Sequence, residues 1–236
     1  LQFLAACEMR ENVKVVRDPR PFNFSRLLNQ GVNAAEGEVI VSLNNDVLAH
    51  QADWLAQLVA NAVRPDTGAV GARLLYADRK VQHAGVVLGV GGVAGHWFGD
   101  IEGDDPGYFG QAILQREVEA VTAAVMAVRR EVYNSSGGFD EANLPVAFND
   151  VDFCLRLRER GMKNLFVPGV TLTHLESQSR GSDERDEVRD RVRAEVGYMK
   201  RRWGHDGGNL VDRGKNPNFV QITGDALLHG FEVRDS

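Results

Sequence analysis

The stretch "EVIVSLNNDV", residues 38–47, places a mostly apolar run, Val39 to Leu43, directly before two asparagines and an aspartate. A continuous apolar run of this length is typical of a parallel strand that is covered on both faces. In an open parallel sheet, ligands gather beyond the carboxyl ends of the strands. The sequence therefore predicts a buried strand that ends at a polar site around Asp46.

Two interpretations of Asn44, Asn45 and Asp46 stay open at this point. The Asp46 carboxylate and the two amide oxygens are hard ligands of the kind that hold Mg2+ or Mn2+ on a diphosphate. Asparagine and aspartate are also common in turns, where their side chains bond to the backbone. The triplet taken alone favours the turn.

The flanking chain alternates between strand and helix patterns. Apolar residues at helical spacing predict helices over residues 23–37, closed by Gly37, and over residues 54–62. Strands are predicted at residues 13–16, 69–75 and 118–128. This alternation indicates an α/β domain in which helices flank a mainly parallel sheet.

The rest of the chain begins with a glycine-rich region and continues with short strands and two further helices. Residues 85–110 are rich in glycine. Such a run could bind phosphate, but neither a helix start nor a phosphate-binding lysine follows it, so the sequence favours a mobile loop. Beyond them the pattern predicts a helix over residues 150–160, brief strands at residues 165–168 and 170–174, and a helix over residues 183–203 whose charges lie on the surface.

The composition narrows the class of protein. The 236 residues carry a net charge of -6 and 43% hydrophobic residues, so the chain can bury a core but would repel a nucleic-acid backbone. Cys7 and Cys154 are far apart, which indicates neither a disulfide framework nor a zinc site. No run approaches the ~20 apolar residues of a membrane span. We therefore expect a cytoplasmic protein that does not bind nucleic acid.

A second acidic cluster, "FNDVD" at residues 148–152, lies where the helix over residues 150–160 should begin. Its simplest interpretation is capping: Asn149 or Asp150 caps the helix and Asp152 lies in its first turn. A carboxylate at a helix start also suits a general base that faces a hydroxyl. Local sequence alone favours capping.

The third candidate segment is "THLESQSRG", residues 173–181, where a histidine at a strand end precedes hydroxyls and an arginine. A neutral imidazole can complete a metal shell, and arginine can neutralise phosphate oxygens. A lone histidine is more often structural. The histidines at positions 83, 96, 205 and 229 have no metal-type spacing, and we assign them no ligand role.

Taken together, these segments resemble the inverting family 2 glycosyltransferases of the GT-A fold, in particular bacterial members that build O-antigen, rhamnan and other surface polysaccharides. The resemblance covers most of the chain and rests on the order of these motifs: "PFNFSRLLNQGVNAAEGEVIVSLNNDV", "DWLAQLVANAVRPDTGAVGARLLY", "VQHAGVVLG", "VTAAVMAVRREVY", "GGFDEANLPVAFNDVDFCLRLRERG", "HLESQSRG" and "NPNF".

The resemblance implies a role for each candidate residue. Asp46 is implied as the main carboxylate for Mg2+ or Mn2+ beside Asn44 and Asn45, with asparagine in the first place of the family's Asp-x-Asp element. His174 is implied as a metal or diphosphate contact, and Asp150 as the general base with Asp152 as the runner-up. The implied donor and acceptor contacts are Asn44, Asn45, Asp140, Glu141, Asp152, Ser179 and Arg180.

The resemblance also implies partners and a domain organisation. The partners are a nucleotide-diphosphate sugar and a glycan or lipid-linked acceptor; peripheral contact with the inner face of the membrane and self-association stay open. We expect one GT-A domain over residues 1–236, without the family's nucleotide-reading strands at its start and with residues 204–236 as an extension packed on the body. The alternative from another class is a non-catalytic, degenerate binding or assembly module.

Overall fold

A computed structural model describes residues 2–175, 186–204, 210, 219–221 and 231–233 of the chain. The helices are α1 (Gln2–Glu8), α2 (Phe24–Ala34), α3 (Trp54–Ala62), α4 (Arg130–Ser135), α5 (Asn149–Glu159) and α6 (Asp186–Trp203). The strands are β1 (Val39–Leu43), β2 (Val47–Ala49), β3 (Thr67–Leu75), β4 (Val81–His83), β5 (Val86–Leu88), β6 (Ala94–His96), β7 (Arg116–Val118), β8 (Val125–Arg129), β9 (Lys163–His174), β10 (Phe219–Gln221) and β11 (Phe231–Val233).

The main sheet is mixed rather than mainly parallel, which corrects that part of the expected architecture. Its order is β1-β8-β3-β9-β2, with β4 on β3 and β7 on β9. Strands β3 and β9 pair in parallel, whereas β8 is antiparallel to both β1 and β3. An apolar run predicts burial but carries no information on the direction of a neighbouring strand, so the sequence pattern could not distinguish the two arrangements.

Helices cover both faces of this sheet, as predicted. All nine residues of β3 are buried, and alternate side chains enter two different apolar clusters. On one face, Leu58 and Ala62 of α3 pack against β3, β8 and β9. On the other face, Phe153 and Leu157 of α5 form the core with β3, β8 and β9. The result is a three-layer α/β arrangement that fixes the ends of β1 and β9 beside the start of α5.

Four local predictions differ from the structure. Residues 13–16 form no strand, because Val13 and Val16 lie exposed in the extended segment between α1 and α2. Helix α2 ends at Ala34, before Gly37, since Ala35 is already extended. Residues 165–168 and 170–174 belong to the single strand β9. The predicted strand over residues 118–128 is interrupted, with β7 and β8 separated by residues 119–124.

The glycine-rich region is the fifth difference. In place of a continuous loop, β5 and β6 form an antiparallel hairpin with Val86 opposite His96. Val86, Val87 and Leu88 are buried, so the hairpin is anchored to the core. The apolar triplet Val86-Val87-Leu88 is the sequence signal for strand β5. The glycines on either side of it made the region resemble a loop.

Helix α6 carries the predicted surface charges, with one exception. Arg193 pairs with Asp190 at 3.1 Å on the exposed face. Glu195, by contrast, is only 1% exposed, and its Oε1 accepts hydrogen bonds from the amides of Val146 (2.7 Å) and Ala147 (2.9 Å). This carboxylate fastens α6 to the segment that leads into α5.

Candidate active site

A cavity of about 390 Å³ opens where the ends of β1 and β9 meet the start of α5. Asn44 comes from the end of β1, His174 from the end of β9, and Asp150 from the first turn of α5. The hairpin β5–β6 contributes Gly95 and His96 to the wall. Three segments that are distant in sequence therefore line one space.

Asp46 and His174 face each other beside this cavity. Val47 is paired with His174 across β2 and β9, which brings Asp46 Oδ1 to 3.1 Å from His174 Nε2. His174 Nδ1 lies 2.8 Å from Gln82 Oε1, an atom that only accepts. Nδ1 is therefore the nitrogen that donates to Gln82, and Nε2 is the nitrogen that faces the Asp46 carboxylate.

This pair fits a divalent cation. Asp46 Oδ1 is buried without a hydrogen-bond partner among the described residues, and it lies 3.1 Å from His174 Nε2. Asp46 and His174 would hold such a cation, and Gln82 would fix the ring in the manner of an outer-shell partner. Within the described residues no group of three histidine, cysteine or carboxylate side chains could hold a metal. Diphosphate oxygens and water would complete the shell, as is usual for Mg2+.

The segment Asn44-Asn45-Asp46 also forms a turn. The amide of Val47 donates to the carbonyl of Asn44 at 3.3 Å, which closes a turn over Asn45 and Asp46. Asn44 Nδ2 lies 3.4 Å from His174 Nε2 and the residue lines the cavity. Asn45 is exposed at the tip of the turn and is not among the lining residues. The turn and the polar site are therefore the same structure.

Asp150 is oriented by two backbone amides. Its Oδ1 accepts from Val151 N at 2.8 Å and its Oδ2 from Ala123 N at 3.0 Å. Neither Asn149 nor Asp150 caps the helix, because the N-cap is Phe148, in a left-handed conformation with φ 58°. Asn149 instead donates to the carbonyl of Val146 at 2.9 Å. Each Asp150 oxygen keeps a second acceptor site for a group in the cavity.

Residues 122–124 connect these parts of the site. The amide of Ala123 holds Asp150, while the carbonyl of Ala123 accepts from Ser42 Oγ at 2.7 Å. The carbonyl of Ala124 accepts from Asn44 N at 2.9 Å. The small side chains of this segment, noted in the sequence, allow its backbone to approach both the end of β1 and the start of α5.

Three of the predicted sugar contacts, Asp140, Glu141 and Asp152, are not among the residues that line this cavity. Asp152 is buried on another side of α5, where its carboxylate contacts Arg156 Nε (2.8 Å), Arg202 Nε (3.2 Å) and Trp203 Nε1 (2.9 Å). Asp140 and Glu141 border shallower pockets over α2 and α6. The sugar contacts predicted for these three residues stay predictions, outside the cavity that Asn44 and Asp150 line. Ser179 and Arg180 lie outside the described residues.

Asp140 has a structural role in its own turn. It accepts hydrogen bonds from Asn143 N at 3.0 Å and from Tyr198 Oη at 2.8 Å. Partial burial raises the pKa of the Asp140 carboxyl, but the hydrogen bonds from Asn143, Tyr198 and Ala142 outweigh it and leave that pKa below its usual value. The carboxylate joins the turn to α6.

Sequence reasoning missed several residues of the cavity wall. Gln82, His96 and Asp100 all line it, and Asp100 has a left-handed backbone with φ 67°. Such strained positions cluster at functional sites. The "VQHAG" motif and the aromatic residues after Gly95 are visible in the sequence as signals of a functional surface. The spacing of their histidines tests only for a metal site and does not detect residues that line a cavity.

The three-layer fold, with polar side chains at the strand ends, defines a GT-A type glycosyltransferase domain. The chain belongs to the family described as "Glycosyltransferase like family 2", whose family model matches residues 2–194. The fold agrees with the crystal structure of GalNAc-T7 with UDP, GalNAc and Mn2+ (TM-score 0.58, 16% identity, covering 77% of this chain and 36% of that one). It also agrees with the mannosyltransferase PcManGT from Pyrobaculum calidifontis in complex with GDP-Man and Mn2+ (TM-score 0.53, 17% identity, 83% and 48%).

Two curated relatives are more similar in sequence. Protein y4gI of Sinorhizobium fredii is 46% identical over 217 residues, which cover 92% of this chain and 24% of that protein. The O-antigen biosynthesis protein RfbC of Myxococcus xanthus is 42% identical over 172 residues, which cover 72% and 13%. The chain thus spans a quarter or less of the length of these relatives. The described part of the chain has no helix that is long and apolar enough to cross a membrane.

Proposed function

We propose that this chain transfers a sugar from a nucleotide-diphosphate donor to an acceptor hydroxyl, with inversion, in the synthesis of a cell-surface polysaccharide. The observation that carries the proposal is the shared cavity, which brings Asn44, Asp150 and the Asp46–His174 pair together. Membership of the glycosyltransferase family supports the reaction class, and the RfbC relative supports the biological context.

Each residue has a defined part in the proposed reaction. Asp150 takes the proton from the acceptor hydroxyl, and the freed oxygen attacks the anomeric carbon from the face opposite the diphosphate. The bond from the anomeric carbon to the phosphate oxygen breaks, and the nucleoside diphosphate leaves with its electrons. Asp46 and His174 would hold Mg2+ or Mn2+, which supplies positive charge to the diphosphate. A single displacement inverts the configuration.

The test of the base is Asp150→Asn, which removes proton acceptance but keeps the shape of the side chain. We expect transfer to fall by about a hundredfold or more. Affinity for UDP or GDP with Mn2+, measured by calorimetry, should stay within about twofold of wild type, since Asp150 does not touch the metal pair.

Asp190→Asn, an exposed carboxylate on α6, is the matched control and should leave both measurements unchanged. A variant Asp150→Asn that keeps a tenth of the wild-type rate would remove Asp150 from the role of base. Wild-type protein that neither binds nor turns over any nucleotide sugar would instead support the non-catalytic module.

A further inference from the structure

Two histidines that the proposed reaction does not use are in direct contact at the cavity. His83 ends β4 and His96 ends β6, and their Nδ1 atoms lie 2.7 Å apart. The rings are nearly perpendicular, at 83°, with centroids 4.9 Å apart. His83 is fully buried, whereas His96 is exposed on the cavity wall. The buried ring therefore supports the exposed one.

The hydrogen bonds assign the proton of His83. The amide of Thr122 lies 3.4 Å from His83 Nε2, and because a backbone amide can only donate, this ring nitrogen is the acceptor. Burial, followed by the charges of His96, Arg116 and His174, holds the pKa of His83 well below its usual value. The ring is therefore neutral, and its single proton is on Nδ1.

The tautomer of His96 follows from that of His83. The proton on His83 Nδ1 is donated to His96 Nδ1, so this second nitrogen is an acceptor. A neutral His96 then carries its own proton on Nε2 and presents a donor. The ring lines the same cavity as Asn44, Asp150 and His174. Hydroxyl oxygens of a sugar ring are acceptors that suit such a donor.

We propose that His96 binds the sugar in the cavity by donating a hydrogen bond from Nε2 to one of its hydroxyl oxygens, and that His83 is the positioning residue that fixes this tautomer. The inference rests on the proposed function, because it takes the occupant of the cavity to be a sugar. The hydroxyl belongs to the donor sugar or to the acceptor sugar, which share this chemistry and which the kinetic test separates.

The first test reads the tautomers directly and requires no activity. In protein labelled with 15N-histidine, long-range proton–nitrogen spectra near neutral pH should show His83 protonated on Nδ1 and His96 on Nε2. His83→Phe should release His96 into a mixture of tautomers. If that variant fails to fold, the wild-type spectrum still decides. Protonation of His96 on Nδ1, or of His83 on Nε2, would overturn the proposal.

The second test measures the sugar contact. UDP-N-acetylgalactosamine and GDP-mannose serve as probes, with Mg2+, for donor hydrolysis and for transfer to an oligosaccharide acceptor. His96→Ala should raise KM for the contacted sugar about three- to tenfold, as expected for one neutral hydrogen bond, with a smaller change in kcat. His96→Gln keeps a donor and should recover most of the loss. His50→Ala, which removes an exposed histidine bonded to Thr173, should change nothing.

The outcomes separate the inference from the function on which it rests. A higher KM in donor hydrolysis assigns the contact to the donor sugar, and a higher KM for the acceptor alone assigns it to the acceptor. If His96→Ala matches wild type in both assays while Asp150→Asn is inactive, the sugar contact is wrong and the transferase proposal stands. If wild type binds and turns over neither probe nor any other nucleotide sugar, the proposed function and the sugar contact both fail.

Discussion

Asp150 and Asp152 are two positions apart on α5 and have opposite surroundings. Residues at this separation project about 200° apart around a helix, so they cannot face the same site. Asp150 lines the cavity and is held by two amides. Asp152 is 1% exposed and bonds to Arg156, Arg202 and Trp203. We therefore assign Asp152 to the attachment of α6 and leave Asp150 as the candidate base.

The buried imidazole of His83 predicts a loss of stability in mild acid. Its pKa in the folded protein is well below the ordinary 6.5, chiefly through burial. Below that pH the unfolded chain binds a proton that the folded protein resists, so stability falls as pH falls. Between about pH 7.5 and 5.5, wild type should lose about 1 kcal/mol more unfolding free energy than His83→Gln, measured by urea titration.

The comparison contains its own control. His50→Gln replaces an exposed histidine and leaves the buried His83 in place, so this variant should follow the wild-type pH dependence. Equal losses for wild type and His83→Gln over this range would show that His83 is protonated in the folded protein as readily as in the unfolded chain.

At the scale of the element, α6 is held by a buried charge as well as by apolar contact, since Met199 is buried in the core. Glu195 is almost fully buried and accepts from the amides of Val146 and Ala147, just before Phe148 and α5. Its second oxygen lies 3.5 Å from Arg191 Nε. The helix therefore acts as a brace for the segment that delivers Asp150.

Truncation of Glu195 should be costly. Glu195→Ala leaves two partly buried amides without this acceptor, and we expect the unfolding free energy to fall by about 2–4 kcal/mol in urea titrations. Arg193→Ala removes an exposed pair on the same helix and should cost less than about 0.5 kcal/mol. Similar losses for the two variants would mean that the amides of Val146 and Ala147 find water in place of the carboxylate.

The helices and strands also show which parts of the structure can be predicted from the sequence. Helix α3 was predicted with the bounds that the structure has, because its apolar spacing is regular and Pro65 follows it. The ends of β1 and β9 and the start of α5 were located because strand-end and helix-start positions follow from local pattern. The contact of His83 with His96 could not be predicted, since it depends on the register of β5 with β6. The burial of Glu195 depends likewise on the docking of α6.

At the scale of the whole molecule, the fold supplies two side chains, those of Asp46 and His174, for the metal ion of the proposed reaction. Asp46 Oδ1 and His174 Nε2 lie 3.1 Å apart, and Asp46 Oδ1 is buried. Two protein ligands bind Mg2+ or Mn2+ weakly, and the diphosphate of a nucleotide would supply further oxygens. Metal and nucleotide should therefore stabilise the protein together.

A thermal melt measures this linkage. Mn2+ with UDP or GDP at about 100 times the dissociation constant should contribute about 2.7 kcal/mol, or an increase in Tm of about 5–10 °C. Either component alone should give a much smaller increase, and EDTA should abolish the joint effect. Asp46→Asn should lose most of it, whereas Asp190→Asn should keep it. A full increase in Asp46→Asn would exclude Asp46 as a metal ligand.

The backbone of residues 122–124 restricts how this cavity can change during evolution. Neighbouring amides, those of Thr122 and Ala123, hold His83 and Asp150 respectively. A bulkier side chain that displaces this segment would disturb both of these hydrogen bonds at once. Such a substitution would therefore change the positions of His83 and Asp150 together. Adaptation to a sugar of another size should therefore be concentrated elsewhere in the lining, in the hairpin that carries Gly95 and His96.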